Sequence, residues 1–141
     1  MSIMKAYQYG NVCLVPQYSD LKSRSDADTS FVLGRNQFLL PVIPSNMKAV
    51  IDSDIAKILS ERGYMYIMHR FGVNVTKFVD KANRESWPII SISTGVKRID
   101  REVIQQLSSA GSKVDYITID IAHGYCEAMK HMLEFINEKL N

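Results

Sequence analysis

YITIDIAHGY, residues 116–125, is the stretch that decides the fold, because it predicts a strand that ends just before a helix begins. Its first half alternates as a strand does, and Asp120, His123 and Gly124 follow it directly. A carboxylate and an imidazole at the end of a strand allow two interpretations. They line a ligand-binding site at this rim of the sheet, or they belong to an ordinary strand-to-helix turn with a helix cap. The residues alone leave both interpretations open.

The order of an apolar run followed by a helical pattern occurs four times after residue 37. The apolar runs are 38–44, 64–68, 88–93 and 116–121, and the helical patterns are 52–63, 74–83, 98–111 and 125–140. Strands that alternate with helices predict parallel pairing through right-handed crossovers. The sequence therefore predicts an α/β fold of parallel β/α units. Either a small doubly wound sheet or the first half of a (β/α)8 barrel fits this pattern.

Residues 1–37 do not follow this pattern. They contain a short apolar run, VCLVP at residues 12–16, which places Cys13 in a predicted strand, and then a polar stretch rich in Ser and Asp. We expect an N-terminal extension with short strands and a hairpin over residues 1–37. Four β/α units would then occupy residues 38–141.

The composition is that of a globular domain, with 141 residues of which 46% are hydrophobic and 23% charged. A formal charge of +2 without runs of like charge argues against a nucleic-acid partner. The N-terminus lacks the apolar core of a secretory signal, and no apolar run is long enough to span a membrane. Cys13 and Cys126 lie far apart, which is typical of reduced thiols. We therefore expect a cytoplasmic protein.

Polar or small residues follow each predicted strand, where parallel α/β folds bind ligands. They are Pro44, Ser45, Asn46, Met47, His69, Arg70, Ser93, Thr94, Gly95, Asp120, Ala122, His123 and Gly124. Each also has a structural explanation. Asp120 could cap the fourth helix or pair with a neighbouring strand end, the histidines could be structural, and the glycines could serve tight turns. No phosphate-loop motif is present. The residues therefore indicate a ligand-binding site at the rim of the sheet, but they do not indicate which reaction it serves.

Five strings occur in an order that resembles one family. They are NVCLVPQYSDLKSRSDADTS (11–30), LPVIPSNM (40–47), YMYIMHRF (64–71), SISTGVK (91–97) and DYITIDIAHGY (115–125). Together they resemble the IMP dehydrogenase/GMP reductase family, and within it the bacterial type of GMP reductase. The third predicted strand follows His69 after one helix, which leaves no room for the regulatory insert that IMP dehydrogenases usually carry there.

The resemblance implies the N-terminal half of a TIM (β/α)8 barrel and a function in purine nucleotide interconversion. It implies NADPH as the cofactor, GMP and IMP as the purine nucleotides, and reductive deamination of GMP to IMP by way of a cysteine adduct. The partner would be further copies of the chain or a complementary C-terminal half barrel. An IMP dehydrogenase-like half barrel and a non-catalytic nucleotide-binding partner of a full-length subunit remain as alternatives.

Position by position, the resemblance assigns cofactor contacts to Ser23, Arg24, Arg70, Asp120, Ile121 and Ala122, and purine contacts to Asn46 and Met47. Arg70 stands where related reductases have a lysine, so the charge is kept but the donor geometry differs. No residue matches the family's nucleophile, because Cys13 and Cys126 both lie outside a Gly-rich loop. We therefore expect a chain that is truncated before the catalytic cysteine and inactive by itself, and no metal ligands.

Overall fold

The computed structural model describes residues 4–140, which form a small parallel sheet, a β-hairpin and four α-helices. In chain order the elements are β1 (Phe31–Leu33), β2 (Asn36–Phe38), α1 (Ser53–Glu61), α2 (Val75–Arg84), β3 (Ser91–Thr94), α3 (Arg98–Ser109), β4 (Tyr116–Ile119) and α4 (Glu127–Leu140). Two short 3-10 turns, Tyr9–Asn11 and Arg24–Asp26, precede them.

The sheet is parallel, as the alternation of strands and helices predicts. In it β3 pairs with β4, from Ser91 opposite Tyr116 to Thr94 opposite Ile119. A single parallel bridge joins Met68 to Ile92 on the other side of β3. The segment 64–68, β3 and β4 therefore lie side by side in this order, with α2 and α3 as crossovers. The predicted α/β class with parallel pairing is confirmed.

Two predicted strands are not formed. Residues 39–51 contain no strand, so the interpretation of 38–44 as the first strand of the sheet is wrong. Pro41 and Pro44 lack amide hydrogens for a ladder, and Val42 is 59% exposed. The placement of Cys13 in a strand is also wrong, because its segment has no strand pairing and its side chain is exposed. The predicted strand 64–68 is reduced to the bridge at Met68.

The helices α1, α2 and α3 match the predicted patterns 52–63, 74–83 and 98–111 to within two residues at each end. The Asp52 carboxylate accepts hydrogen bonds from the amides of Asp54 and Ile55, both at 2.9 Å, and fixes the start of α1. The Asn74 side chain accepts from the amide of Lys77 in the same way for α2. After α3 the chain turns at Gly111, whose φ of +62° favours glycine. The helix α4 begins at residue 127, two positions after the predicted start.

The hairpin of β1 and β2 is bound to the parallel sheet through Tyr116. The hydroxyl of this residue donates to the carbonyl of Leu33 (2.6 Å) and accepts from the amide group of Asn36 (2.8 Å). The Tyr116 ring also packs against Phe38, with ring centroids 5.9 Å apart. The hairpin therefore covers the end of the sheet at which β4 begins.

The core lies between the sheet, the hairpin and the helices α1 to α3. Its fully buried side chains include Phe38, Tyr66, Val79, Ile90 and Leu107. Burying one such apolar side chain contributes about 1.5–3 kcal/mol, so this cluster is the main source of stability. Among the described residues, no helix has both the length and the apolar character needed to cross a bilayer.

Candidate functional site

The centre of the candidate site is a contact between Arg70 and Asp120. A guanidinium nitrogen of Arg70, Nη2, donates to the backbone carbonyl of Asp120 at 3.2 Å, and Nε lies 3.8 Å from the carboxylate oxygen Oδ2. The amide of Asp120 donates to the carbonyl of Thr94 at 2.7 Å, which fixes the position of its backbone. Arg70 follows the strand segment 64–68 and Asp120 follows β4. Both therefore lie at the carboxyl ends of parallel strands.

A second carboxylate lies on the other side of Arg70. Oδ1 of Asp100, in the first turn of α3, is 3.9 Å from the guanidinium nitrogen Nη1. The side chain of Asp100 is 12% exposed, compared with 33% for Asp120. The same carboxylate accepts a hydrogen bond from the amide of Lys97 at 2.9 Å and so caps α3. One arginine is therefore held between two carboxylates of different exposure.

The guanidinium group of Arg70 is held but not saturated. Its carbon Cζ lies 4.6 Å from the centre of the Phe71 ring, a cation–π contact that orients the plane of the group. Its Nε atom is buried and has no hydrogen-bond partner within the structure. A cleft of about 400 Å³ between α2 and α3 is lined by Arg70, Ser93, Thr94 and Asp100 together with neighbouring residues. The Arg70 side chain is 27% exposed, so its terminal N–H groups remain available to donate to a ligand.

The side chain of Asp120 pairs with a neighbouring strand end and does not cap a helix. Because α4 begins only at Glu127, the side chain of Asp120 does not cap that helix. It pairs instead with Arg70, at the end of the neighbouring strand segment. Of the structural explanations open from the sequence, the pairing is the one that the geometry favours. Its carboxylate is still one-third exposed and accessible to a ligand.

The other predicted cofactor residues are placed differently. Ile121 and Ala122 directly follow Asp120, half-buried and exposed respectively. Ser23 and Arg24 lie in the exposed 3-10 turn at Arg24–Asp26, where the Ser23 hydroxyl is 2.7 Å from that of Ser25. Among residues 4–140, no hydrogen bond or ion pair joins Ser23 or Arg24 to the Arg70–Asp120 contact. The structure thus brings Arg70 together with the segment 120–122. It does not bring Ser23 and Arg24 to this contact.

The predicted purine residues lie on a tight turn before α1. The carbonyl of Met47 accepts from the amides of Val50 (2.8 Å) and Ile51 (3.1 Å), which closes the turn. Asn46 is half-buried and Met47 is 56% exposed. Among residues 4–140, no hydrogen bond or ion pair joins this turn to Arg70. Both residues are accessible, as a ligand-contacting pair would have to be.

The two candidate histidines occupy opposite environments. His69 is 3% exposed, and its Nδ1 atom has no hydrogen-bond partner in the part of the chain that the structure describes. His123 is exposed on the loop before α4. Over residues 4–140, no group of three or more histidine, cysteine, aspartate or glutamate side chains is arranged to hold a metal ion.

Asp100 is the residue of this site that the sequence analysis missed. It lies in the first turn of a helix, where an acidic residue is ordinary because it complements the helix dipole. The signal that could have found it is its spacing from Lys97, which is that of a capping box at the carboxyl end of β3. Such a cap lies on the same rim as the other candidates.

Comparisons with known proteins show the family of this chain. A family model described as the IMP dehydrogenase / GMP reductase domain matches residues 6–141. A GMP reductase of Variovorax paradoxus is 42% identical over 137 residues, and one of Helicobacter pylori (strain G27) is 43% identical over 138 residues. Both alignments cover 97% of this chain and 42% of the relative.

Among solved structures, the inosine 5' monophosphate dehydrogenase from Legionella pneumophila is similar to this chain, with a TM-score of 0.75 and 25% sequence identity. The match covers 97% of this chain and 42% of that one. The chain therefore spans less than half the length of the relatives it matches. Since the family model covers almost every residue, the chain belongs to the IMP dehydrogenase/GMP reductase family.

Proposed function

We propose that this chain forms the first four β/α units of a TIM-barrel GMP reductase and supplies the cofactor-facing rim of its site. The observation that carries the proposal is the contact of Arg70 with Asp120 at the carboxyl ends of neighbouring strands. Relatives at 42–43% identity are named GMP reductase, which favours this reaction over that of the less similar IMP dehydrogenase. The substrate would be GMP and the product IMP.

The donor set at this rim fits NADPH. An arginine suits a phosphate group because its planar fork of N–H donors matches two oxygens at once, and the Arg70 side chain is 27% exposed. The exposed third of Asp120 is available to accept hydrogen bonds from ribose hydroxyls. When bound, NADPH supplies the hydride for the reduction. The role of this chain's residues is to bind and orient it, with Ile121 and Ala122 beside the ribose.

The purine side of the site is assigned to Asn46 and Met47. The amide of Asn46 offers a donor and an acceptor to the edge of a base, and the Met47 thioether offers a soft apolar surface to its face. Ser23 and Arg24 are proposed to contact the cofactor of a neighbouring copy in an oligomer. Their exposed position on the N-terminal segment is compatible with that role.

The test is NADPH binding to the 141-residue chain, measured by the fluorescence of the nicotinamide or by calorimetry. Arg70→Met is expected to weaken binding about tenfold or more, because a charge-assisted hydrogen bond contributes about 1.5–3 kcal/mol. Arg70→Lys keeps the charge but not the planar fork, so it should weaken binding less than Arg70→Met does. Arg62→Met is the matched control, because Arg62 is exposed at the end of α1. Equal affinity of the Met and Lys variants would contradict the role of Arg70.

A second measurement addresses the reaction. The chain alone is expected not to oxidise NADPH in the presence of GMP, because neither Cys13 nor Cys126 matches the nucleophile of the family. Steady turnover with GMP would overturn this expectation. Spectral shifts at Asn46 on addition of GMP, without any turnover, would agree equally with a nucleotide-binding partner of a full-length subunit. Turnover on addition of the C-terminal part of a relative would favour the enzyme.

A further inference from the structure

The loop that follows β3 brings Gly95 unusually close to Asp100. A Cβ atom built on Gly95 would lie 2.6 Å from the carboxylate oxygen Oδ2 of Asp100 and 3.0 Å from its Cγ atom. Gly95 itself is buried, and it is not among the glycines with a positive φ. Its backbone conformation therefore does not require glycine. The requirement comes from the Asp100 carboxylate, which occupies the space where a side chain would be.

Two contacts restrain that carboxylate. Its Oδ2 atom accepts the hydrogen bond from the amide of Lys97 at 2.9 Å, and its Oδ1 atom lies 3.9 Å from Nη1 of Arg70. The side chain is 12% exposed. A methyl group at Gly95 would have to displace the carboxylate from the cap, from Arg70 or from both.

We propose that Asp100 is a positioning residue that holds the guanidinium group of Arg70, and that Gly95 is required because any larger residue would displace Asp100. The consequence for the cofactor rests on the proposed function. The arrangement of Gly95, Asp100 and Arg70 itself does not depend on it.

The two carboxylates beside Arg70 would have different roles: Asp120 would contact the ligand, and Asp100 would hold Arg70 in place. Arg70 has a long side chain that loses considerable rotamer entropy when it is fixed. Asp120 is the more exposed carboxylate, and it would give up part of its interaction with Arg70 when it accepts hydrogen bonds from a ribose. The more buried Asp100 then keeps the guanidinium group in place, with Phe71 on its face. Without Asp100, the ligand would have to order Arg70 as it binds.

The experiment is a double-mutant cycle on the full 141-residue chain. The variants are D100N, G95A, D100A and G95A/D100A, and each is measured for the order of the Arg70 Nε–H group by ¹⁵N relaxation and for NADPH affinity. D100N and G95A should each increase the mobility of the Arg70 side chain. Each should also weaken NADPH binding about threefold to fivefold, the range expected for a partly exposed ion pair. In the D100A background, G95A should have no further effect, because the added methyl group meets no carboxylate.

Two control variants make the same chemical changes elsewhere. Asp80→Asn removes an exposed carboxylate from α2, and Gly10→Ala adds a methyl group where nothing lies within 4 Å. Neither should change Arg70 mobility or NADPH affinity. The emission of the buried Trp87 reports whether each variant is folded. If D100A does not fold, D100N and G95A still test the proposal. An Arg70 Nε–H group that is as ordered in these two variants as in the unchanged chain would overturn it.

The outcomes separate this inference from the proposed function. If the unchanged chain does not bind NADPH, the cofactor role of this rim is refuted, and the Arg70 relaxation data still test the role of Asp100. If NADPH binds and the D100N and G95A variants bind it equally well, the positioning role is refuted and the proposed function stands. An effect of G95A that persists in the D100A background would show that Gly95 acts through another contact.

Discussion

Replacing Tyr66 with Phe should remove a specific pH dependence from the stability of this domain. Tyr66 is fully buried, and its hydroxyl donates to the carbonyl of Ile89 (2.9 Å) and accepts from the amide of Ser91 (3.3 Å). Burial disfavours the phenolate and raises the pKa of Tyr66 to about 12, from an ordinary value of 10.0. The folded state therefore holds the phenolic proton more tightly than the unfolded state does.

The size of the effect follows from these two pKa values. Because the folded pKa is the higher one, the contribution to stability is fully present below pH 10 and is lost as the pH rises towards 12. Linkage then predicts a loss of about 1 kcal/mol in the free energy of unfolding between pH 9 and pH 11. Tyr66→Phe does not show this pH-dependent decrease in the free energy of unfolding. It leaves the buried Ser91 amide without its acceptor, which costs about 1–3 kcal/mol at every pH.

The assay is urea unfolding followed by the fluorescence of Trp87, which is 2% exposed and reports on the core. The unchanged chain should be more stable than Tyr66→Phe at pH 8, and the difference should shrink by about 1 kcal/mol between pH 9 and pH 11. Tyr125→Phe is the control, because Tyr125 is 95% exposed. A difference that stays constant over this pH range would refute the assignment of a raised pKa to Tyr66.

Three further substitutions test the hairpin, the buried polar contacts and the turns by urea unfolding at neutral pH. Tyr116→Phe removes the hydrogen bonds to Leu33 and Asn36 and should lower the unfolding free energy by about 1–2 kcal/mol. An unchanged midpoint of urea unfolding would show that the hairpin is held by packing alone. Ser60→Ala removes a buried hydroxyl that exchanges two hydrogen bonds with the backbone of residue 89 and should cost about 2 kcal/mol. Gly111→Ala should cost about 1 kcal/mol because of its φ of +62°, and Gly10→Ala should cost nothing measurable.

The helices were predictable because their signals are local. Asp52 and Asn74 cap α1 and α2 through their own side chains, and Gly111 ends the turn after α3 through its own backbone conformation. None of these features depends on a distant partner. The parallel pairing of β3 with β4 was predictable for a related reason, since a strand, a helix and a second strand of this length have few other arrangements.

The strands and the second carboxylate were harder to predict because they depend on distant residues. The run 38–44 has the composition of a strand, but a strand needs a neighbour for its amides, and its two prolines remove donors that a neighbour would use. The position of Asp100 beside Arg70 depends on how α3 packs beyond β3, at a separation of 30 residues along the chain. A pattern with the period of a helix or a strand contains no information about such a contact.

The register of the parallel sheet connects the hairpin at one end with the candidate site at the other. The Asp115 carboxylate accepts from the amide of Ile90 at 2.8 Å, and the ring of Tyr116 is fixed by the hairpin, so both residues set how β4 lies against β3. In that register the amide of Asp120 reaches the carbonyl of Thr94. A shift by one residue would turn every β4 side chain to the opposite face and would separate the Asp120 carboxylate from Arg70. The residues that fix the register at the start of β4 are therefore as necessary to the Arg70–Asp120 contact as the two side chains that form it.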